Sequence, residues 1–167
     1  MTKNASKTIV DSTAEPANQF GIQKLYIKQA SFTSFGTPEL FEKPWKPETK
    51  FEIKTHFKPA KEHHHEVTLE VAVTLTQDAD TIAMIEVKQS GVFLVKGYEG
   101  EQLDQLLKSY CPNVLFPYVR ETISRLSADG GLPSVYLVPI NFDAIYVEQQ
   151  KQLKEKSEKS QEPMTIH

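Results

Sequence analysis

The chain has 167 residues, enough for one domain with a proper core. Its apolar fraction of 39% and charged fraction of 25% are ordinary for a globular protein. A net charge of −3 and a pI near 6.0 argue against a nucleic-acid partner, which calls for a basic face. No apolar run approaches membrane-spanning length, so direct membrane insertion is not expected. The polar N-terminus lacks a signal-type apolar core, and a single cysteine, Cys111, leaves no internal disulfide. Together these point to a cytoplasmic location.

In chain order, residues 1–18 are polar and read as a mobile N-terminal tail, 19–152 as one domain, and 153–167 as a mobile C-terminal tail. Phe20 to Phe32 reads as a strand whose apolar positions change parity between Ile22 and Leu25, the mark of a bulge or of a strand apolar on both faces. Ser34 to Pro47 is punctuated by Pro38, Pro44 and Pro47 yet holds Phe35, Leu40, Phe41 and Trp45. An aromatic-rich loop of this kind packs on the core or lines a binding site. Three further strands follow. Phe51 to Phe57 and Val67 to Leu75 alternate apolar with polar residues, and Ile82 to Val95 becomes apolar on both sides toward its ends.

Leu103, Leu106, Leu107 and Tyr110 then fall on one helical face, and Leu115, Val119, Thr122 and Leu126 continue a stripe. Pro112 is expected to break or kink this helix, and Pro117 to open a fresh helical run. Asp129-Gly130-Gly131 ends the helix, the paired glycines supplying left-handed conformations. Leu132 to Ile140 is a second apolar loop, held by Pro133 and Pro139. Asn141 is a candidate N-cap for a last helix that frays from Lys151. The fold class is therefore α+β: a four-stranded antiparallel sheet with a crossover loop, and two helices, the first kinked, packed on one face.

No catalytic constellation emerges. His63-His64-His65 is a solvated turn whose side chains diverge, with no second ligand cluster. Cys111 has no glycine elbow or placed histidine and reads as a small buried hydrophobe. Gly91, Gly97 and Gly100 match no phosphate-cradling spacing, and Glu70 with Glu86 reads as the charged outer face of a sheet. The chain is thus not expected to be an enzyme or to carry a cofactor or metal; a ligand-binding or hydrolytic domain would need polar groups that are not found. The two proline-bounded loops are the candidate site. Trp45 and Phe41 from one, with Val135, Tyr136 and Leu137 from the other, would flank a groove for extended apolar polypeptide.

Four motifs, in order, resemble the SecB family of bacterial export chaperones over about Phe20 to Gln150. They are Phe41-Glu42-Lys43-Pro44-Trp45-Lys46-Pro47; Gln89-Ser90-Gly91-Val92-Phe93 leading to Gly97-Tyr98-Glu99-Gly100; Tyr110-Cys111-Pro112-Asn113-Val114-Leu115-Phe116-Pro117-Tyr118-Val119-Arg120-Glu121; and Pro139-Ile140-Asn141-Phe142-Asp143-Ala144. The resemblance implies an ATP-independent holdase that keeps unfolded preproteins translocation-competent and delivers them to SecA. It implies a homotetramer, a dimer of dimers, with first helices sandwiched between two eight-stranded sheets. It places client binding at Phe41, Trp45, Leu132, Val135, Tyr136 and Leu137, and assembly at Leu103, Leu106, Tyr110, Leu115 and Val119. SecA docking falls on the outer sheet face at Met84 and Glu86, beside Gln29 and Thr33, where familiar members carry acids. That last departure keeps a second reading open, a SecB-like chaperone dedicated to one client such as a toxin–antitoxin system.

Overall fold

The computed structural model describes residues 17–159. Four strands, β1 (Gln19–Ser34), β2 (Glu48–Pro59), β3 (His64–Gln77) and β4 (Asp80–Lys96), form one antiparallel sheet in the order β1-β4-β3-β2. The connection from β1 to β2 must therefore cross from one edge of the sheet to the other, which is why it is long and contains its own short 3-10 turn at Glu39–Glu42. Asp78 and Ala79 both take positive φ (54° and 68°), the geometry of a tight two-residue hairpin that closes β3 onto β4.

The parity change in β1 is a bulge, and there are two. Register shifts between Ile22 and Lys24 and between Ile27 and Gln29 each insert one residue. They return Phe20, Ile22, Leu25, Ile27, Ala30 and Phe32 to one face, aligned with Val95, Phe93, Gly91, Gln89, Val87 and Ile85 of β4. Val67, Leu69, Val71, Val73 and Leu75 extend that face into β3, all at most 1% exposed. Gly91 sits within it: an added Cβ would lie 2.6 Å from the Phe93 ring and 3.0 Å from Leu25, so the ring occupies the space a side chain would need.

One long helical element covers this face. It consists of α1 (Gly100–Gln105), a π turn (Leu106–Tyr110) and α2 (Cys111–Asp129). Pro112 was expected to break or kink the helix here, and the helix continues past it through a distorted turn rather than breaking. The Cys111 N–H donates to the carbonyl of Leu106, five residues back, and the widened turn places Pro112 in the first turn of α2, where no N–H is needed. Pro117 opens no new helix; it lies inside α2. It and Asn113, whose carbonyl it leaves unpaired, are on the exposed side, where water can serve that oxygen. The stripe Leu115, Val119 and Ile123 is fully buried, and α2 packs on β3 and β4 and reaches β1.

The helix ends in a Schellman arrangement. Leu132 N–H donates to Ser127 O at 3.0 Å and Gly131 N–H to Ala128 O at 2.9 Å. Only Gly131 is left-handed (φ 78°). Gly130, with φ −75°, is a glycine for a different reason: an added Cβ would meet the Phe32 ring at 2.2 Å. The last helix, α3 (Phe142–Lys159), is capped by Asn141, whose Oδ1 accepts from the Ala144 N–H at 2.9 Å. Its main contacts are with the π turn, where Ser109 Oγ donates to Asp143, and Gln150 Nε2 reaches Asp104 at the end of α1 (3.0 Å).

The last helix, expected to fray from Lys151, runs on to Lys159, since the Lys/Glu/Gln sequence consists of strong helix formers and Gln152 bonds Glu148 one turn back. The N-terminal tail expected over 1–18 lies, apart from its last two residues, outside the described residues, as do residues 160–167.

Candidate functional site

The two proline-bounded loops meet. In the crossover loop, Leu40 is buried as its anchor, and Gln77 at the end of β3 clamps the segment that follows. The Gln77 side chain donates to Pro44 O (3.0 Å) and accepts from Lys46 N–H (2.9 Å). These bonds hold Trp45 half-buried against the core. In the second loop, Ser127 Oγ accepts from Val135 N–H (2.9 Å) while donating to Ser124 O, tying the loop back to α2. Trp45, Val135, Tyr136 and Leu137 then line one cavity of about 330 Å³, floored by Thr49 and Phe51 of β2. Phe41 does not line this cavity; its ring lies beside Gly131 at the end of α2.

The groove does not stop at the loops. Because β2 is an edge strand, its core-side residues Thr49, Phe51, Ile53, Thr55 and Phe57 are only partly covered, with both phenylalanines 44% exposed. Ile53, Thr55 and Phe57 line a second cavity of about 420 Å³ that leads to Phe142 and Ile145 on α3. The result is a trough along one sheet edge, apolar on its walls, beside a strand whose outer backbone groups have no strand partner among the described residues. Sequence reasoning missed the β2 contribution. The alternation of Phe51, Ile53 and Phe57 was visible, but it reads as ordinary core until the helices are seen to leave that edge bare.

Two expected groove residues are buried loop anchors. Leu132 and Leu137 are 5% and 4% exposed and anchor the loop in the core; Leu137 only backs the cavity, and Leu132 does not line it. Tyr136, 69% exposed, and Val138 carry the exposed apolar surface instead. The expected assembly residues also divide. Leu115 and Val119 have no exposed surface, so they fill the chain's own core and cannot reach a partner. Leu103 and Leu106 are partly buried, while Tyr110 and its neighbour Tyr118 are half exposed. Tyr110 stands edge-on to Phe20 at 5.0 Å between ring centroids. Between α2 and the second loop lies a cavity of about 710 Å³ that includes Phe116, Arg120 and Tyr136.

On the outer sheet face, Met84, Glu86, Gln29 and Thr33 are brought into one patch: Thr33 is opposite Met84, and Gln29 Nε2 donates to Glu86 at 3.1 Å. The acids there are largely spoken for. Lys88 lies 3.3 Å from Glu86 and 3.7 Å from Glu70, His56 is 3.1 Å from Glu70, and Lys28 pairs with Glu66. The Lys28 hydrogen bond, with the Tyr26 hydroxyl also donating at 2.8 Å, holds the Glu66 carboxyl below its usual range against the opposing effect of burial. Cys111 is fully buried, which pushes its thiol up to about 12 and leaves it without nucleophilic character at neutral pH. The three consecutive histidines diverge: His64 Nδ1 bonds the Glu62 carbonyl at 2.7 Å, and His65 turns to the core side opposite Phe93. Among the described residues no cluster of potential ligands is arranged to hold a metal. Among the same residues no helix is long and apolar enough to cross a membrane.

A family model described as preprotein translocase subunit SecB matches residues 13–153. The chain belongs to the SecB family. It is 37% identical over 157 residues to the protein-export protein SecB of Methylococcus capsulatus, covering 94% of this chain and 99% of that protein. It is 44% identical over 141 residues to the SecB of Alcanivorax borkumensis, covering 83% of this chain and 90% of that one. In structure it is similar to the SecB-like chaperone Rv1957 of Mycobacterium tuberculosis, solved with a ChAD peptide from the Rv1956 HigA1 antitoxin. The TM-score is 0.59 at 16% identity, over 72% of this chain and 87% of that one. Both of these curated relatives are named as protein-export proteins.

Proposed function

We propose that this chain is an ATP-independent holdase that captures unfolded preproteins in the trough between the two loops and β2, and passes them to SecA. The observation that carries the reading is the convergence of Trp45, Tyr136 and Phe51 on one open apolar channel beside a strand edge that is unpaired among the described residues. Apolar walls accept many side chains without sequence demands, and the free edge of β2 offers main-chain hydrogen bonds to any extended segment. A protein that binds only the unfolded state shifts the folding equilibrium by mass action and needs neither nucleotide nor catalytic group. Replacing Trp45 by Ala should weaken capture of an unfolded preprotein about tenfold, roughly the 1.4 kcal/mol expected for losing part of a buried aromatic contact. Unchanged capture would overturn the groove assignment.

Assembly into a homotetramer, a dimer of dimers, is part of the proposal. The exposed face of α2 around Tyr118, and the outer edge of β1, paired on one side only among the described residues, are surfaces for it. A tetramer engaging several segments of one client gains avidity from individually weak contacts. SecA docking is proposed at Met84 and Glu86. Because Lys88 and Gln29 already contact Glu86, a basic segment of the partner must compete for that carboxylate. The same feature leaves room for a chaperone dedicated to one client. A pull-down from cell extract distinguishes the two: SecA with many precursors, or one client alone.

A further inference from the structure

The wall of the trough that carries Trp45 is held by one side chain. Pro44 and Pro47 have no N–H, so the segment between the 3-10 turn and β2 can donate only from Trp45 and Lys46 and lacks the donors of a regular ladder. Its hydrogen bonds among the described residues both go to Gln77, whose amide donates to Pro44 O at 3.0 Å and accepts from Lys46 N–H at 2.9 Å. The two bonds fix the backbone on either side of Trp45. Packing holds the segment less firmly. It runs between the trough's cavity of about 330 Å³, lined by Trp45 and Pro47, and a second cavity of about 430 Å³, lined by Leu40, Lys43 and Gln77. The two cavities share no lining residue, so contact is missing from the loop on both sides.

Gln77 itself is firmly placed. It is the last residue of β3, paired with Asp80 across the tight hairpin, and only 8% exposed. A buried primary amide must find partners, and this one finds them in the loop. An apolar side chain of the same length would leave Pro44 O and Lys46 N–H to turn toward water, with no other group among the described residues to direct them back. The sheet therefore sets the position of the Trp45 wall through a single amide. A client that meets a wall already in place does not have to order it on binding.

We infer that Gln77 is a positioning residue for client capture, its amide holding the Trp45 wall in the binding position before a client arrives. The inference rests on the trough being the client site. It is tested in the full chain with Gln77→Met, which keeps the length and removes both hydrogen bonds, and with Gln77→Leu as a second replacement. The probe is a fluorescein-labelled peptide of phenylalanine and serine, titrated by anisotropy. Gln77→Met should bind it about three- to tenfold more weakly, as expected if the unpinned wall is in place only about a tenth to a third of the time. Trp45 is the only tryptophan in the chain, so its emission reports the wall directly and should move to the red in the unliganded variant. Added to Trp45→Ala, Gln77→Met should weaken binding by less than about twofold more, because a residue that acts through Trp45 has nothing left to act on. The inference is overturned if both replacements bind within about twofold of the wild type, or if the losses in the double variant multiply. Unchanged Trp45 emission overturns it as well, and so does a failure of both replacements to fold, which would make Gln77 a structural residue. If Trp45→Ala leaves peptide binding untouched, the client-site reading fails and the positioning role falls with it. If Trp45→Ala weakens binding and the Gln77 replacements do not, only the positioning role is lost.

Discussion

Leu115 and Tyr118 sit on the same helix, three residues apart, one in the core of the chain and the other on the exposed face proposed to meet a partner. Leu115 has no exposed surface and lies in one buried stripe with Val119 and Ile123. Replacing it by Ala removes three carbon atoms from a site closed on all sides by α2 and the sheet. The transfer and cavity contributions together give a loss of about 3 kcal/mol, within the roughly 2–5 kcal/mol range of such truncations. Tyr118 is 48% exposed within the chain, so Tyr118→Asp should cost a folded protomer only about 0.5 kcal/mol. If its face of α2 meets a partner, the same change buries a charge in the contact and costs several kcal/mol of association. Urea unfolding at two protein concentrations, with light scattering on the same samples, reads both effects, since assembly makes apparent stability concentration-dependent. Leu115→Ala should lower the unfolding midpoint at both concentrations and leave the mass of the folded species unchanged. Tyr118→Asp should lower the mass while keeping the helical signal. A loss below about 1 kcal/mol for Leu115→Ala, or its dissociation into folded protomers, would refute the burial argument. A persistent tetramer in Tyr118→Asp would remove α2 from the interface.

Gly91→Ala places a methyl group against Phe93 and Leu25 and should cost about 1–3 kcal/mol, measured by chemical unfolding. Ala79→Gly relieves a positive φ in the β3–β4 turn and should raise stability by about 0.5–1 kcal/mol in the same assay; no change or a loss would show that the turn is not strained. Cys111 should resist alkylation by iodoacetamide at pH 8 in the folded protein and react in urea, because burial keeps it a thiol. Burial, and secondarily the neighbouring His64, hold His65 below the ordinary histidine value of 6.5. The unfolded chain therefore takes up a proton before the folded one. The stability this histidine contributes is complete above about pH 6.5 and is lost as the pH falls toward the lowered folded value. The unfolding midpoint should drop between pH 7.5 and 5.5, and His65→Phe should flatten that drop.

What could be read from the sequence divides along physical lines. Strand alternation at Val67 to Leu75 and helical spacing at Leu115 and Val119 are local periodicities, and each fixed an element and its buried face. Which surface that face meets is not local. Helical spacing alone gives Leu115 and Val119 no address, so the sequence could not say whether they meet a partner or their own sheet; the sheet, four strands wide, already covers them. Pro112 shows the same limit in backbone terms. Steric rules forbid it in a regular helix, but they do not forbid the chain from widening one turn, as it does at Leu106–Tyr110, so that the proline arrives at the start of α2. The two glycines after Asp129 differ for a tertiary reason. Gly131 is needed by its own φ, whereas Gly130 is needed by the Phe32 ring, roughly a hundred residues earlier in the chain.

The candidate site follows from the same distinction. Aromatic residues in a proline-rich loop could be recognised as unusual, and Trp45 and Tyr136 do come to one groove. The clamps that hold them there, Gln77 and Ser127, are single buried polar side chains whose partners are loop backbone groups; no spacing in the sequence announces such a bond. The groove's other wall comes from an absence of cover. Strand order puts β2 at an edge, the helical layer lies over β3, β4 and β1, and Phe51 and Phe57 are left open on the side where the chain turns toward α3.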